Sequence, residues 1–324
     1  MATASPTLEI RDLRIEFPTR RRTLVALDGV SLEIAPGEIL GLVGESGAGK
    51  SLTGAAVIGL LQPPGRIAGG QILLQGERID DLPPARLRTI RGRRIGAIFQ
   101  DPLTSLNPLL TIGDQLVETI RTHLPLSRRD AVARALALLR EVGIPAPETR
   151  LGQHPHQFSG GMRQRVVIAL ALAAEPVLII ADEPTTALDV SVQAQITALL
   201  KRVCREHGTA ALLVTHDMGV IAETADRVAV MYAGRLAEIG PVEEVIRRPA
   251  HPYTRGLIGS IPSLHRQVRE LVQIDGAMPR LDAMPNGCSF HPRCPQAFAP
   301  CASRRPELAT RGRSAAACWL QPTG

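Results

Sequence analysis

The segment TLEIRDLRIEF, Thr7 to Phe17, alternates apolar and polar positions with one slip, as an edge or antiparallel strand does. SLEI, Ser31 to Ile34, ends a second strand at the turn Pro36, Gly37, Glu38. The apolar run ILGLVG, Ile39 to Gly44, enters a Gly-rich turn, after which LTGAAVIGLL, Leu52 to Leu61, predicts a helix stopped by Pro63 and Pro64. Further strands are predicted at QILL from Gln71, IGAIF from Ile95, VLIIA from Val177 and AALLVT from Ala210. RVAVMYAGRLAEIG, Arg227 to Gly240, predicts a hairpin turning at Ala233 and Gly234. Strands separated by helices of about ten residues or more imply a parallel sheet.

Between Thr111 and Ala174 the period becomes helical. IGDQLVETIRTH starts at Ile112, and RRDAVARALALLREVG starts at Arg128 with an expected apolar face of Val132, Ala135, Leu136 and Leu139. This reads as a helical insertion, about 111–174, within an α/β body. Past Gly240 comes the short VEEVIRR, Val242 to Arg248, after which Pro density rises and periodicity fades. A domain of residues 1–245 and a tail of residues 246–324 are expected.

Hydrophobic residues make up 44% of the 324 positions but aromatics only 2%, so the core must be built from Ala, Val, Leu and Ile. The longest apolar runs, such as VLIIA and VVIALALAA, Val166 to Ala174, fall far short of the roughly 20 residues that span a bilayer. The N-terminal residues lack the basic-then-apolar build of a secretory signal, so a cytosolic chain with reduced thiols is expected. From Arg247 to Gly324 there are eleven Arg against four acidic residues, a surplus of +7 in a chain whose total is +6. Such a tail suits nucleic acid, an anionic membrane face or a bound anionic cofactor, or is a solvated Arg-rich surface.

GESGAGKS, Gly44 to Ser51, fits G-x-x-x-x-G-K-S, with an apolar strand before it and a helix after. Backbone N–H groups freed by Gly47 and Gly49 can wrap a phosphate, and the helix N-terminus adds a positive end. The nucleotide-binding candidates are Gly44, Glu45, Ser46, Gly47, Ala48, Gly49, Lys50, Ser51 and Leu52, with Lys50 reaching the β- and γ-phosphates and Ser51 ligating Mg²⁺. VLIIADEP, Val177 to Pro184, is an apolar strand ending in two carboxylates. Asp182 can hold Mg²⁺ through water, and Glu183 can orient or deprotonate the attacking water. In FSGGMRQR, Phe158 to Arg165, the residues Ser159, Gly160, Gly161 and Met162 open a helix and form a second anion site. A single chain does not need both; two subunits arranged head to tail do, each closing its S-G-G turn on the other's γ-phosphate.

With these motifs in this order, the first ~245 residues resemble the ATP-binding cassette family. The resemblance implies a P-loop NTPase (RecA-like) core carrying an antiparallel β-subdomain and the inserted helical subdomain. Phe17 stands where the family stacks an aromatic on adenine, here without the hydroxyl of the commoner Tyr. Gln100 in FQDP matches the glutamine that reaches Mg²⁺ and the water while its loop touches the membrane partner, and His216 in VTHD matches the switch histidine at the γ-phosphate. Asp189, ending ALD, matches the loop that crosses the dimer interface. Phe158 and Met162 depart from the commonest L-S-G-G-Q, leaving the serine and glycine donors in place. QDPLTSLNPLLTIGDQL (Gln100 to Leu116), HPYTRGLIGSIP (His251 to Pro262) and GCSFHPRCP (Gly287 to Pro295) resemble the oligopeptide and dipeptide importer branch.

That branch implies two membrane permease subunits, an extracytoplasmic peptide-binding protein, a second ATPase as heterodimer partner, and a peripheral place on the cytoplasmic face of the membrane. ATP and Mg²⁺ are the implied ligands. The alternatives are the same machine carrying nickel, glutathione or an opine, or a soluble cassette ATPase acting on nucleic acid or ribosomes. No nucleic-acid-binding signature is visible, which argues against the last.

Cys288, Cys294, Cys301 and Cys318 crowd the tail. They lack the closely spaced pair that usually begins a structural zinc site, although His291 leaves a Cys/His site open. Four thiolates also suit an iron–sulfur cluster, and the importer resemblance implies a 4Fe-4S cluster stapling a small irregular extension. Zinc and unliganded thiols remain the alternatives. Cys204, on a helix expected to start near Ser191, reads as a small buried hydrophobe.

Overall fold

The protein is described as a computed structural model covering residues 5–186, 188–260 and 273–320. Ile261 and Pro262 of the tail motif and Ala187 of the ALD loop lie outside those residues. The chain forms two compact units, Met1–Thr7 with Ile34–Ile39 and Asp81–Leu213, and Leu8–Glu33 with Leu40–Asp80 and Val214–Gly324.

In the first unit, strands Ile95–Ile98 and Leu178–Asp182 pair in parallel, Ile95 opposite Leu178 and Ile98 opposite Ala181. Strand Ala210–Val214 lies on the other side of Leu178–Asp182. These short, almost wholly buried runs carry no alternation because both faces are covered. Helix Gly160–Leu172 buries Gln164, Val166, Val167, Ile168, Ala169, Ala171 and Leu172, so from Val166 onward it too is apolar all round. Ala-rich packing lets backbones come close: a Cβ on Gly96 would stand 2.4 Å from the Ala171 carbonyl oxygen.

Helices Ile112–His123 and Arg128–Glu141 each begin at a hydroxyl cap, Thr111 accepting from the Asp114 N–H and Ser127 from the Asp130 N–H. The second of these corrects the expected face. Ala131, Ala135, Leu138 and Leu139 are buried, and Val132 and Leu136 only partly. The neutral-looking Ala131 faces the core, and the whole stripe is turned accordingly. Helix Val190–His207 ends at Gly208 in the left-handed region, φ 63°, and Cys204 is fully buried in it.

In the second unit, strand Leu8–Pro18 pairs antiparallel with Arg66–Leu74, and its register shifts between Arg11 and Arg14. The slip in the alternation is thus a β-bulge. Leu8 and Ile10 are buried before it, Leu13 and Ile15 after it. The strand read from Gln71 starts earlier, at Arg66, and the one read at SLEI starts at Thr23. Strand Ile39–Val43, buried throughout, runs parallel to Arg227–Tyr232. The hairpin to Arg235–Pro241 turns at Ala233 (φ 48°) and Gly234 (φ 78°), both positive as a two-residue turn between twisted strands demands.

The tail is more regular than its composition suggests. Strand Ser314–Ala316 pairs with Arg235–Pro241, placing Ala316 opposite Glu238, and Ala309–Arg311 pairs with it in turn. Helix Pro252–Gly259 is capped by His251, whose Nδ1 accepts the Tyr253 N–H at 3.0 Å. Glu238, fully buried, accepts the N–H groups of Ala250 and His251 at 2.8 and 2.9 Å. Tyr232, Tyr253 and Phe290 meet with ring centroids 4.7 to 5.3 Å apart. Three of the eight Phe, Tyr and Trp residues in the chain are therefore spent on anchoring the tail. The lone Trp319 donates its Nε1–H to the Arg304 carbonyl at 2.9 Å, with the Arg304 guanidinium over its ring.

Candidate functional site

The phosphate-loop candidates lie between strand Ile39–Val43 and helix Lys50–Val57. Gly44, Gly47 and Gly49 have φ of 154°, 82° and 106°, so the loop's path depends on residues without a side chain. Gly44 is constrained twice, since a Cβ there would meet the Met231 carbonyl oxygen at 2.3 Å. The loop is tied to the hairpin turn by the Gly234 N–H, which donates to the Ala48 carbonyl at 2.9 Å. Lys50, only 6% exposed, donates through Nζ to the carbonyls of Gly44 (2.8 Å) and Glu45 (3.1 Å). A buried ammonium held by two loop carbonyls is a cation fixed where an anion can be wrapped. The helix ends at Val57, with Gly59 at φ 65°, before the two prolines expected to stop it. The Phe17 ring lies against Gly65, where a Cβ would meet it at 2.7 Å.

In the other unit, Asp182 is the last residue of its strand. Glu183 follows in the left-handed region, φ 46°, a costly conformation for a residue with a side chain. Its Oε2 accepts the Gln100 Nε2–H and the Thr186 Oγ1–H, both at 3.0 Å. Sequence reasoning named Glu183 and Gln100 separately, and the fold brings them into contact. It missed Thr186, whose one signal is a hydroxyl three residues beyond the acid, the spacing of a side chain closing a turn.

Ser159 caps helix Gly160–Leu172, its Oγ accepting the Met162 N–H at 3.3 Å. Phe158 is 3% exposed under the Arg150 guanidinium, so the departure from the commoner leucine is absorbed in the core. Asp189 is the exposed N-cap of helix Val190–His207 and its side chain makes no capping bond. His216 is exposed just past strand Ala210–Val214, and its neighbour Asp217 caps helix Met218–Thr224.

The four tail thiols lie close enough to feel one another's charge. Burial pushes Cys288 up to about 11, and Cys301, Cys318 and Cys294 add to the shift. Cys294 and Cys318 are raised for the same first reason. Among the described residues no group of three or more His, Cys, Asp or Glu is arranged to hold a metal ion, and the His291 Nδ1 is engaged with the Cys288 carbonyl at 2.9 Å. The expected metal staple therefore has no ready-made ligand cage here, and the aromatic trio already anchors the tail. No helix among the described residues is long and apolar enough to cross a membrane.

A glycine loop around a buried lysine, a strand ending in paired acids and a serine-capped Gly-Gly helix start define a nucleotide-binding cassette. Residues 27–186 match the ABC transporter family, and residues 237–301 match the oligopeptide/dipeptide transporter C-terminal region. The chain is 48% identical over 316 residues to the dipeptide transport ATP-binding protein DppD of Bacillus subtilis, covering 97% of this chain and 94% of that protein. It is 46% identical to the oligopeptide transport ATP-binding protein OppD of Salmonella typhimurium, covering 94% and 90%. Among solved structures, the ATP-binding cassette MJ0796, a dimer bound to ADP and Pi in a post-hydrolysis state, superposes with a TM-score of 0.65 at 30% identity, covering 72% of this chain and 98% of that one. The chain belongs to the ABC transporter family as an ATP-binding subunit of its dipeptide/oligopeptide branch, and has that family's mixed α/β cassette fold.

Proposed function

We propose that this protein is the ATPase subunit that energises import of di- or oligopeptides through a pair of membrane permeases, working from the cytoplasmic face of the membrane. The observation that carries the reading is the match of residues 237–301 to the oligopeptide/dipeptide transporter C-terminal region, because the cassette motifs alone serve every cargo. Residues 1–245 act as the cassette and 246–324 as the branch-specific tail.

ATP lies along Gly44 to Leu52 with its adenine on Phe17. Ser51, Gln100 and Asp182 would hold Mg²⁺, which would supply positive charge beside the transferred phosphoryl group. Glu183 is the general base, held by Gln100, and His216 contacts the γ-phosphate. Ser159, Gly160, Gly161 and Met162 close on the nucleotide of a second, related cassette, and Asp189 crosses to it. An extracytoplasmic binding protein delivers the peptide. A 4Fe-4S cluster on Cys288, Cys294, Cys301 and Cys318, with zinc as the alternative, is the finer reading of the tail, supported by the mutual proximity of the thiols.

Glu183→Gln in the assembled transporter is expected to keep ATP binding and to lower hydrolysis by about 10² to 10⁴. Parental turnover in that variant removes the general-base assignment. Hydrolysis stimulated by nucleic acid rather than by permease-containing membranes and peptide removes the importer reading.

A further inference from the structure

Glu45, the second residue of the phosphate loop, is held at three points. Its N–H donates to the Tyr253 hydroxyl at 2.8 Å, and its carbonyl accepts from Lys50 Nζ. Its two carboxylate oxygens accept from the two terminal nitrogens of Arg293 at 2.6 and 3.0 Å. Tyr253 and Arg293 both belong to the tail, and Arg293 is 248 residues away in the chain.

The Arg293 side chain is 6% exposed, and its other donors are committed as well. Nε donates to the Asp275 carbonyl at 2.7 Å, one terminal nitrogen to the Ile274 carbonyl at 3.2 Å, and the other reaches the Tyr232 hydroxyl at 3.4 Å. The guanidinium lies over the Tyr232 ring. A fork so fully engaged cannot swing onto a phosphate without abandoning four partners, so Arg293 acts on the loop rather than on the nucleotide.

Glu45 is the only acidic residue between Gly44 and Ser51, and a carboxylate inside an anion cradle opposes what the cradle is for. We propose that Arg293 is a positioning residue of the nucleotide site, which through Glu45 cancels the one negative charge of the phosphate loop and fixes the loop's first turn. The tail is then a working wall of the ATP site. This rests on the reading of Gly44 to Ser51 as an ATP cradle and extends it to a residue that carries none of the cassette motifs.

The test uses the full chain with Mg²⁺ and a fluorescent ATP analogue, comparing the parent with Arg293→Gln, Arg293→Lys and the double variant Glu45→Gln/Arg293→Gln. Arg293→Gln leaves the carboxylate unpaired and should weaken nucleotide binding about ten-fold, the scale of one extra charge at close range. The loss should shrink as salt is raised. In the assembled transporter it should appear in KM for ATP with kcat within about two-fold. Arg293→Lys keeps the charge without the fork and should recover part of the affinity. The double variant should regain most of it, although its ion pair is gone and its melting temperature is no higher than that of Arg293→Gln. A double variant as weak as Arg293→Gln would reduce Arg293 to a staple of the tail and overturn the proposal, as would parental affinity in Arg293→Gln. A parental chain that takes up no nucleotide would sink the ATP reading along with it.

Discussion

At the scale of the residue, the strained position of Glu183 is held by donors that include Gln100 and Thr186, and of these two only Gln100 belongs to a named motif. Thr186→Val removes the Thr186 bond, at 3.0 Å, while keeping the shape of the side chain. Losing one hydrogen bond to a charged group costs on the order of 1.5–3 kcal/mol where it is fully felt, so kcat should fall about ten- to a hundred-fold at saturating ATP with nucleotide affinity kept. Unchanged kcat would leave Thr186 a plain turn residue. Glu183 was legible in the sequence because an apolar strand that ends in two acids puts them at a sheet edge. Thr186 was not, since a hydroxyl after a proline suits any turn. The Arg293–Glu45 pair was illegible for a different reason: no local pattern links residues 248 positions apart.

At the scale of the element, the rhythm of side chains carried most of the information. The break in alternation near Asp12 marked a real bulge, and Ala233-Gly234 marked a real two-residue turn. The helix from Arg128 was found but its face was misread, because Ala contributes to a buried stripe without standing out in it. The helix from Pro252 offered no rhythm long enough to read. Its cap predicts a pH response. Burial holds His251 down at about 4 against an ordinary 6.5, so between those values the unfolded chain binds more protons than the folded one. The contribution of a neutral His251 is complete above about pH 6.5 and fades on acidification, by roughly 2 kcal/mol at pH 5. Burial raises the neighbouring Glu238, which works in the opposite sense as pH falls. His251→Asn, which can still cap the helix, should therefore flatten the fall in melting temperature between about pH 7 and 5. A profile as steep as the parent's would place the acid sensitivity elsewhere.

At the scale of the whole molecule, a composition poor in rings foretold a core of Ala, Val, Leu and Ile, and helix Gly160–Leu172 is such a core. What composition could not foretell is where the few rings gather. The tail, which looked like an extension in need of a metal, docks Tyr253 and Phe290 on Tyr232. Protein purified without oxygen should show whether a cluster is added to that anchor. The cluster reading requires iron and acid-labile sulfide in similar amounts, lost in Cys301→Ser; zinc alone or no metal discards it.

The single indole of the chain sits on this same tail, clasped by Arg304. Its emission therefore comes from one known place, and no second tryptophan dilutes it. Titrating ATP while watching that light turns the chain's last stretch into its own reporter: a change in colour or brightness when the nucleotide arrives means that what happens at the glycine loop is felt some 270 residues later.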